Sequence, residues 1–212
     1  MITDLLNDLD ERVNESLTTP VEIIKQDNFP SLDEMFVEVP KWHRIEDAVC
    51  VVADLRGSTK LNFGKYPQSS ARFYEALTGN MVRVVAPFNP AFIDIQGDGI
   101  FAIFHGERRY ERSLAAGITL KTFSQRNLVP AITKHYSDFP DTGIKVGIHA
   151  SSVVVKKVGV RGTNEPVWAG KLVNWATKAA QSIDAHELAV DGDGLQPFLQ
   201  QSARHALVRL WQ

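Results

Sequence analysis

Near the start of the chain Leu5, Leu6, Leu9, Val13 and Leu17 recur at three- and four-residue spacings, with acidic positions between them. That period predicts an amphipathic helix over 3–17, which has nothing of its own to bury against and must dock on the rest of the domain or on a second copy. Residues 18–40 contain three prolines and no clean period, and read as an extended connector. From Trp42 the pattern becomes regular. The run AVCVVA at 48–53 is continuously apolar and rich in β-branched residues, as in a strand covered on both faces. It ends in the turn sequence DLRGST at 54–59. Helical spacing returns over 69–85, through Phe73, Leu77, Met81, Val84 and Val85, and stops before Pro87. Two short apolar runs at 91–96 and 100–104 flank Gly97, Asp98 and Gly99, a strong hairpin signal.

Further along, the pattern predicts a helix over 111–124 with a second piece around 128–135. Residues 144–149 and 152–156 read as another antiparallel pair, 167–182 as helix and 187–190 as a short strand. The last elements, over 196–211, read as helix followed by a strand fragment. The order β-α-β-β-α-β with a further β-α-β points to an α/β (α+β) sandwich of ferredoxin-like type, its helices packed on one side of a mainly antiparallel sheet. The expected division is an N-terminal helix and connector at 1–41 and one main domain at 42–212.

Composition narrows the class. The chain has 212 residues, 44% hydrophobic and 23% charged, which suits one globular domain with a real core and excludes a disordered chain. Lys plus Arg number 23 against 25 Asp plus Glu, a formal charge of −2, so a nucleic-acid partner held by bulk electrostatics is not expected. The one cysteine, Cys50, cannot form an internal disulfide and reads as a small buried hydrophobe in a reducing compartment. No apolar stretch approaches the ~20 residues needed to span a bilayer. The acidic start is unlike a signal peptide, and a cytoplasmic protein is expected.

Two carboxylates stand out by position. Asp54 closes the buried strand, and Asp98 sits between glycines at a hairpin tip. In a ferredoxin-like sheet these two elements are neighbours. Two bare carboxylates about 4 Å apart would repel by ~4 kcal/mol at an effective dielectric of 20, and a divalent cation between them reverses the sign. Oxygen-only ligands favour Mg²⁺ or Mn²⁺ over zinc. Both acids also suit plain turns. After Asp54, Gly57 permits close backbone approach, and the loop amides with Ser58 and Thr59 can donate to anionic oxygens. An ordinary helix N-cap is the other reading of those residues.

Four segments together carry a family resemblance: VVADLRGST at 51–59, QGDGIFAIF at 96–104, VGIH at 146–149 running into Val153–Val155, and GKLVNWATK at 170–178. In this order and at these separations the chain resembles the catalytic domain of the class III nucleotidyl cyclases over roughly 48–190. The resemblance implies that Asp54 and Asp98, with the main-chain carbonyl of Leu55, bind two divalent ions, Mn²⁺ or Mg²⁺. It implies attack of a ribose 3′-hydroxyl on the α-phosphorus of a nucleoside triphosphate, with pyrophosphate leaving. It also implies a homodimer with composite sites, in which Asn174 of one copy orients the ribose in the site of the other.

Departures from the family pattern bear on substrate. Lys178 stands where an arginine usually stabilises the transition state; it keeps the charge and loses the planar fork. Arg56 and Arg161 are the other cations near these motifs. Asp94 and Val167 stand where adenylate-forming members have a lysine and an aspartate, so an adenine would lack partners at ~1–3 kcal/mol for each unpaired polar group. An ionised Asp94 can accept the N3–H of uracil, the amino group of cytosine or the N1–H of guanine. With the short N-terminal arm, these features are similar to the bacterial pyrimidine cyclases of the anti-phage Pycsar systems, whose cyclic UMP or cyclic CMP activates a separate effector. UTP is the favoured substrate, because one carboxylate satisfies its single N3–H. The alternatives are a cytidylate, guanylate or adenylate cyclase, or a nucleotide sensor without turnover. Many family members end in a hairpin that brings a lysine to the triphosphate. Here only Arg204 and Arg209 follow Val190, which leaves that charge to Arg56, Lys60, Lys178 and the cations. His149 reads as a sheet histidine satisfied within the fold.

Overall fold

The computed structural model describes residues 2–35, 37, 39–58, 67–136, 140–160 and 162–191. Thr59, Lys60, Arg161, Arg204, Arg209 and the elements expected over 196–211 lie outside them. Helix α1 (Ile2–Thr18) follows the leucine period, and none of its residues is buried. Strand β1 (Glu22–Gln26) forms within the connector and pairs in parallel with the start of β2 (Lys41–Leu55). Along β2, Val49, Val51, Ala53 and Leu55 enter one hydrophobic core while Ala48, Cys50 and Val52 enter a second on the opposite face. This is the physical meaning of its unbroken apolar run: alternate residues are covered from both sides. Cys50 is fully buried, and that burial pushes its thiol pKa up, as expected of a packing residue.

The helix expected over 69–85 is α2 (Pro67–Tyr74) and α3 (Asn80–Val85), joined by a widened turn at Glu75–Gly79. Strands β3 (Phe92–Gln96) and β4 (Gly99–Phe104) form the Gly-Asp-Gly hairpin. Helices α4 (Arg109–Phe123) and α5 (Val129–His135) follow, again across a widened turn. With β5 (Ile144–Val160), β6 (Thr163–Ala169) and β7 (Leu188–Val190), the strands order as β3-β4-β2-β5-β6, with β1 beside β2 and β7 beside β5.

Three expectations fail. Residues 144–149 and 152–156 are not a hairpin but parts of the single strand β5, because Ala150 and Ser151 between them offer no Gly, Pro, Asn or Asp and continue the ladder to β2 opposite Val49 and Ala48. The helix expected from 167 begins only after Gly170, as α6 (Lys171–Gln181); Val167 and Trp168 are the end of β6, paired with Lys156 and Val155. Nor do the helices share one side. The first core holds Phe73, Met81 and Leu120 of α2, α3 and α4, whereas Leu172, Ala176 and Ala180 of α6 lie in the second. The sheet curls around that second core far enough for Phe92 on β3 and Trp168 on β6 to meet, ring centroids 4.9 Å apart. Among the described residues no helix is long and apolar enough to cross a membrane.

Candidate active site

Asp54 sits at the end of β2, where its ladder to β4 runs out: Ala53 pairs with Ile100, and Gly99 is the next residue along β4. A Cβ built on Gly99 would stand 2.9 Å from the Ala53 carbonyl oxygen and 3.6 Å from Asp54 Oδ1, so the Ala53 backbone demands glycine here and the hairpin closes tightly on the end of β2. Asp98 directly precedes that glycine. Its Oδ2 is buried and has no hydrogen-bond partner among the described residues. The other acid is compensated: Lys145, opposite Asp54 in the β2–β5 register, places Nζ 3.1 Å from Asp54 Oδ2 with its side chain only 13% exposed. Leu55 packs its side chain into the first core, so any polar role for this residue falls to its main chain.

This donor set fits a hard divalent cation. It is all oxygen, and Asp98 presents one carboxylate oxygen that no donor among the described residues satisfies. No group of three or more His, Cys, Asp or Glu is clustered among the described residues. Two carboxylates and a main-chain carbonyl would be a sparse set that leaves positions for water and other oxygen ligands, as Mg²⁺ prefers.

Beside Asp54 lies a cleft of about 110 Å³ lined by Gln96, Gly99, Phe101, Thr177 and Gln181 among others. A larger one, of about 490 Å³, lies on the other side of the sheet against Arg72, Phe73, Leu128 and Ile132, with no carboxylate in its wall. Size does not choose the site; chemistry does. Asp94 pairs across β3–β4 with Phe101, whose side chain is in the second core, so Asp94 shares the sheet face of Asp54. Its Oδ1 accepts from the Ile95 amide at 2.9 Å and its Oδ2 from Gln96 Nε2 at 3.3 Å. Val167 alternates to the opposite face from Trp168, so its side chain is not brought to Asp94.

The remaining candidates divide. Gly57 takes a left-handed φ of +72° in the turn after β2, with Ser58 half-buried beside it. Arg56 is engaged by acids of neighbouring loops, Nη1 2.8 Å from Asp141 and Nε 3.5 Å from Asp184. Asn174 and Lys178 are exposed on α6 and do not line the cleft beside Asp54. Asn174 Nδ2 donates to the Gly170 carbonyl at 3.1 Å, and Lys178 Nζ stands 5.7 Å from the Trp175 ring centroid. His149 is buried, with Nδ1 2.8 Å from Asp191 Oδ2 and its ring against Trp175. The sequence reading missed Lys145, Gln96, Thr177 and Gln181. Only Lys145 left a trace, a lone charge in an otherwise apolar strand end.

No protein-family model matches the chain. Among curated proteins it is 46% identical over 190 residues to a uridylate cyclase of Micromonospora echinofusca, covering 89% of this chain and 62% of that one. It is 42% identical over 195 residues to a uridylate cyclase of Propioniciclava tarda, covering 89% and 63%. The chain thus spans less than two thirds of the length of these curated relatives. Among solved structures it superposes on the adenylyl cyclase CyaB from P. aeruginosa with a TM-score of 0.64 at 14% identity, covering 76% of this chain and 83% of that one. On the guanylyl cyclase Cya2 the TM-score is 0.62 at 19% identity, covering 73% and 79%. The chain thus has the fold of the class III cyclase domains, and in sequence it is similar to the uridylate cyclases.

Proposed function

We propose that the chain is the catalytic domain of a uridylate cyclase, which closes UTP into 3′,5′-cyclic UMP and releases pyrophosphate. The observation that carries this is the acid pair at the β2–β4 edge, where Asp98 holds a buried oxygen, unpartnered among the described residues, one residue from the glycine that abuts Asp54. The two uridylate cyclases at 46% and 42% identity support the choice of base. Asp54, Asp98 and the Leu55 carbonyl would hold two divalent cations, Mn²⁺ or Mg²⁺. When bound, these supply charge that acidifies the ribose 3′-hydroxyl and neutralises the triphosphate. The 3′-oxygen bonds to the α-phosphorus, the bond from that phosphorus to the α–β bridging oxygen breaks, and the hydroxyl proton passes to water.

The other residues bind and orient. Lys145 balances Asp54 and adds a positive charge beside the triphosphate. The turn after Arg56, at Gly57 and Ser58 with Thr59 following, offers amides and hydroxyls to phosphate oxygens, while the Arg56 amide itself donates to the Gly143 carbonyl at 3.0 Å. Asp94 accepts the uracil N3–H. Asn174 aligns the ribose and Lys178 places charge at the reacting phosphate. Because those last two lie outside the cleft beside their own Asp54, they serve the site of a second copy in a homodimer. The product is a second messenger read by a separate cyclic-nucleotide-sensing effector in anti-phage defence. Cytidylate and guanylate cyclisation form the second reading, favoured by the fact that Asp94 can accept an N–H from either base.

Incubation with each of the four triphosphates and Mn²⁺, followed by separation of products, tests the proposal. Cyclic UMP with equimolar pyrophosphate is expected. Cyclisation of purines alone would remove the role of Asp94, and nucleotide binding without pyrophosphate would make the chain a sensor.

A further inference from the structure

Helix α6 reads KLVNWATKAAQ and contains no acid. Lys171, Trp175 and Lys178 are spaced by four and three residues, which sets them on one face of the helix. Lys171 Nζ lies 5.2 Å and Lys178 Nζ 5.7 Å from the centroid of the same Trp175 ring, both within the ~6 Å reach of a cation–π contact. Neither ammonium meets a carboxylate among the described residues. Lys171 is also the first residue of the helix, where the macrodipole disfavours a cation. The ring that holds them is itself braced. His149 packs against it, centroids 5.7 Å apart and planes 32° apart, and His149 is fixed by Asp191 at the end of β7. Two long flexible side chains are thus gathered on a fixed aromatic plate, with their charges left for an anion.

We propose that Lys171 is a second triphosphate-binding cation, paired with Lys178 across Trp175, and that Trp175 is the positioning residue that sets the spacing of the two charges. The inference rests on the cyclase reading and deepens it. One guanidinium offers two parallel donors from a rigid fork, whereas one ammonium is a point charge on a flexible stem. Two ammoniums held on one indole restore what a single lysine loses: two donors at a fixed separation, Lys178 toward the α-phosphate and Lys171 toward the phosphates that leave. Asn174 lies between them in the same helix, so the ribose and the phosphates are met by one surface.

The test is calorimetric titration of the full chain, in the presence of Mn²⁺, with UTP lacking the 3′-hydroxyl, which binds but cannot cyclise. Lys171→Gln is expected to weaken binding about tenfold or more, the loss of one charge-assisted hydrogen bond, and Lys171→Arg to restore it. Turnover of UTP supplies the second readout: Lys178→Ala lowers kcat, whereas Lys171→Gln raises KM. Trp175→Leu damages both, and Trp175→Phe, which keeps a ring face, recovers most of each. Lys134→Ala, on α5 across the sheet, controls for bulk charge and leaves binding unchanged. Wild-type affinity in Lys171→Gln, or no recovery with arginine, overturns the role of Lys171 alone. Failure of the unaltered chain to bind the triphosphate overturns the cyclase reading as well.

Discussion

Asp98 and Asp54 hold their negative charges in opposite circumstances. Asp98 Oδ2 is buried without a donor among the described residues, whereas Asp54 Oδ2 has the ammonium of Lys145 at 3.1 Å. A buried acceptor left unsatisfied costs roughly 1–3 kcal/mol, so in the metal-free chain Asp98 is destabilising and Asp54 is not. Asp98→Ala is therefore expected to raise the melting temperature in chelator by about 2–4 °C, from ~1 kcal/mol in a domain of this size. Asp54→Ala, which strands a mostly buried lysine, is expected to lower it. Both variants should lose Mn²⁺ affinity and turnover by about a hundredfold or more. Thermal melts beside pyrophosphate release separate these effects, and a lower melting temperature for Asp98→Ala would show that its carboxylate has a protein partner after all. Both acids were legible in the sequence, because a strand end and a glycine-flanked hairpin tip are local signals. Lys145 was not: what makes it part of the site is its register opposite Asp54, a relation between strands about ninety residues apart in sequence.

At the scale of elements, the contact between α6 and β5 sets where Asn174 and Lys178 stand. Gly147 on β5 faces this helix, and a Cβ added there would run into the Ala176 carbonyl and the Ala180 amide and lie 3.0 Å from Ala180 Cβ. The obstruction is mostly backbone, which no side-chain rotamer relieves. Gly147→Ala is expected to destabilise the domain by about 1–3 kcal/mol in urea unfolding, as overpacking does, and to push α6 outward. Turnover should fall although no residue that touches substrate has changed; a variant with wild-type stability would mean that the helix sits less closely on the sheet. The stripe of Leu172, Ala176, Ala179 and Ala180 shows in the sequence that this helix is amphipathic. It does not show which face of the sheet it covers, since both faces of β2 need covering. The same limit hid the single strand β5: two apolar runs joined by small residues have the same local pattern whether the chain turns back or runs straight on.

For the whole molecule, the arrangement of one chain raises a question that only a second can answer. Thr177 and Gln181 of α6 line the cleft beside Asp54, yet Asn174 and Lys178 lie outside it, exposed on the same helix. If they act on a triphosphate held by Asp54 and Asp98, those acids belong to another copy. A two-fold pairing then gives two equivalent sites, each taking its acids from one subunit and its helix from the other. This makes inactive variants complementary. Asp54→Ala removes the metal half of its own chain's site and Asn174→Ala the ribose half of its partner's site, so in a heterodimer of the two both lesions fall in one site and the other site has neither. Random exchange of equal amounts yields half heterodimers with one working site in two, and about a quarter of wild-type turnover is expected on mixing. Pyrophosphate release measured before and after exchange, with light scattering to confirm that dimers persist, reads this directly. Recovery cannot arise if each site is built within one chain, because every chain in the mixture carries a lesion. Equal inactivity before and after mixing, with dimers present, would therefore return Asn174 to the surface of its own subunit and leave the acids to work with Thr177 and Gln181.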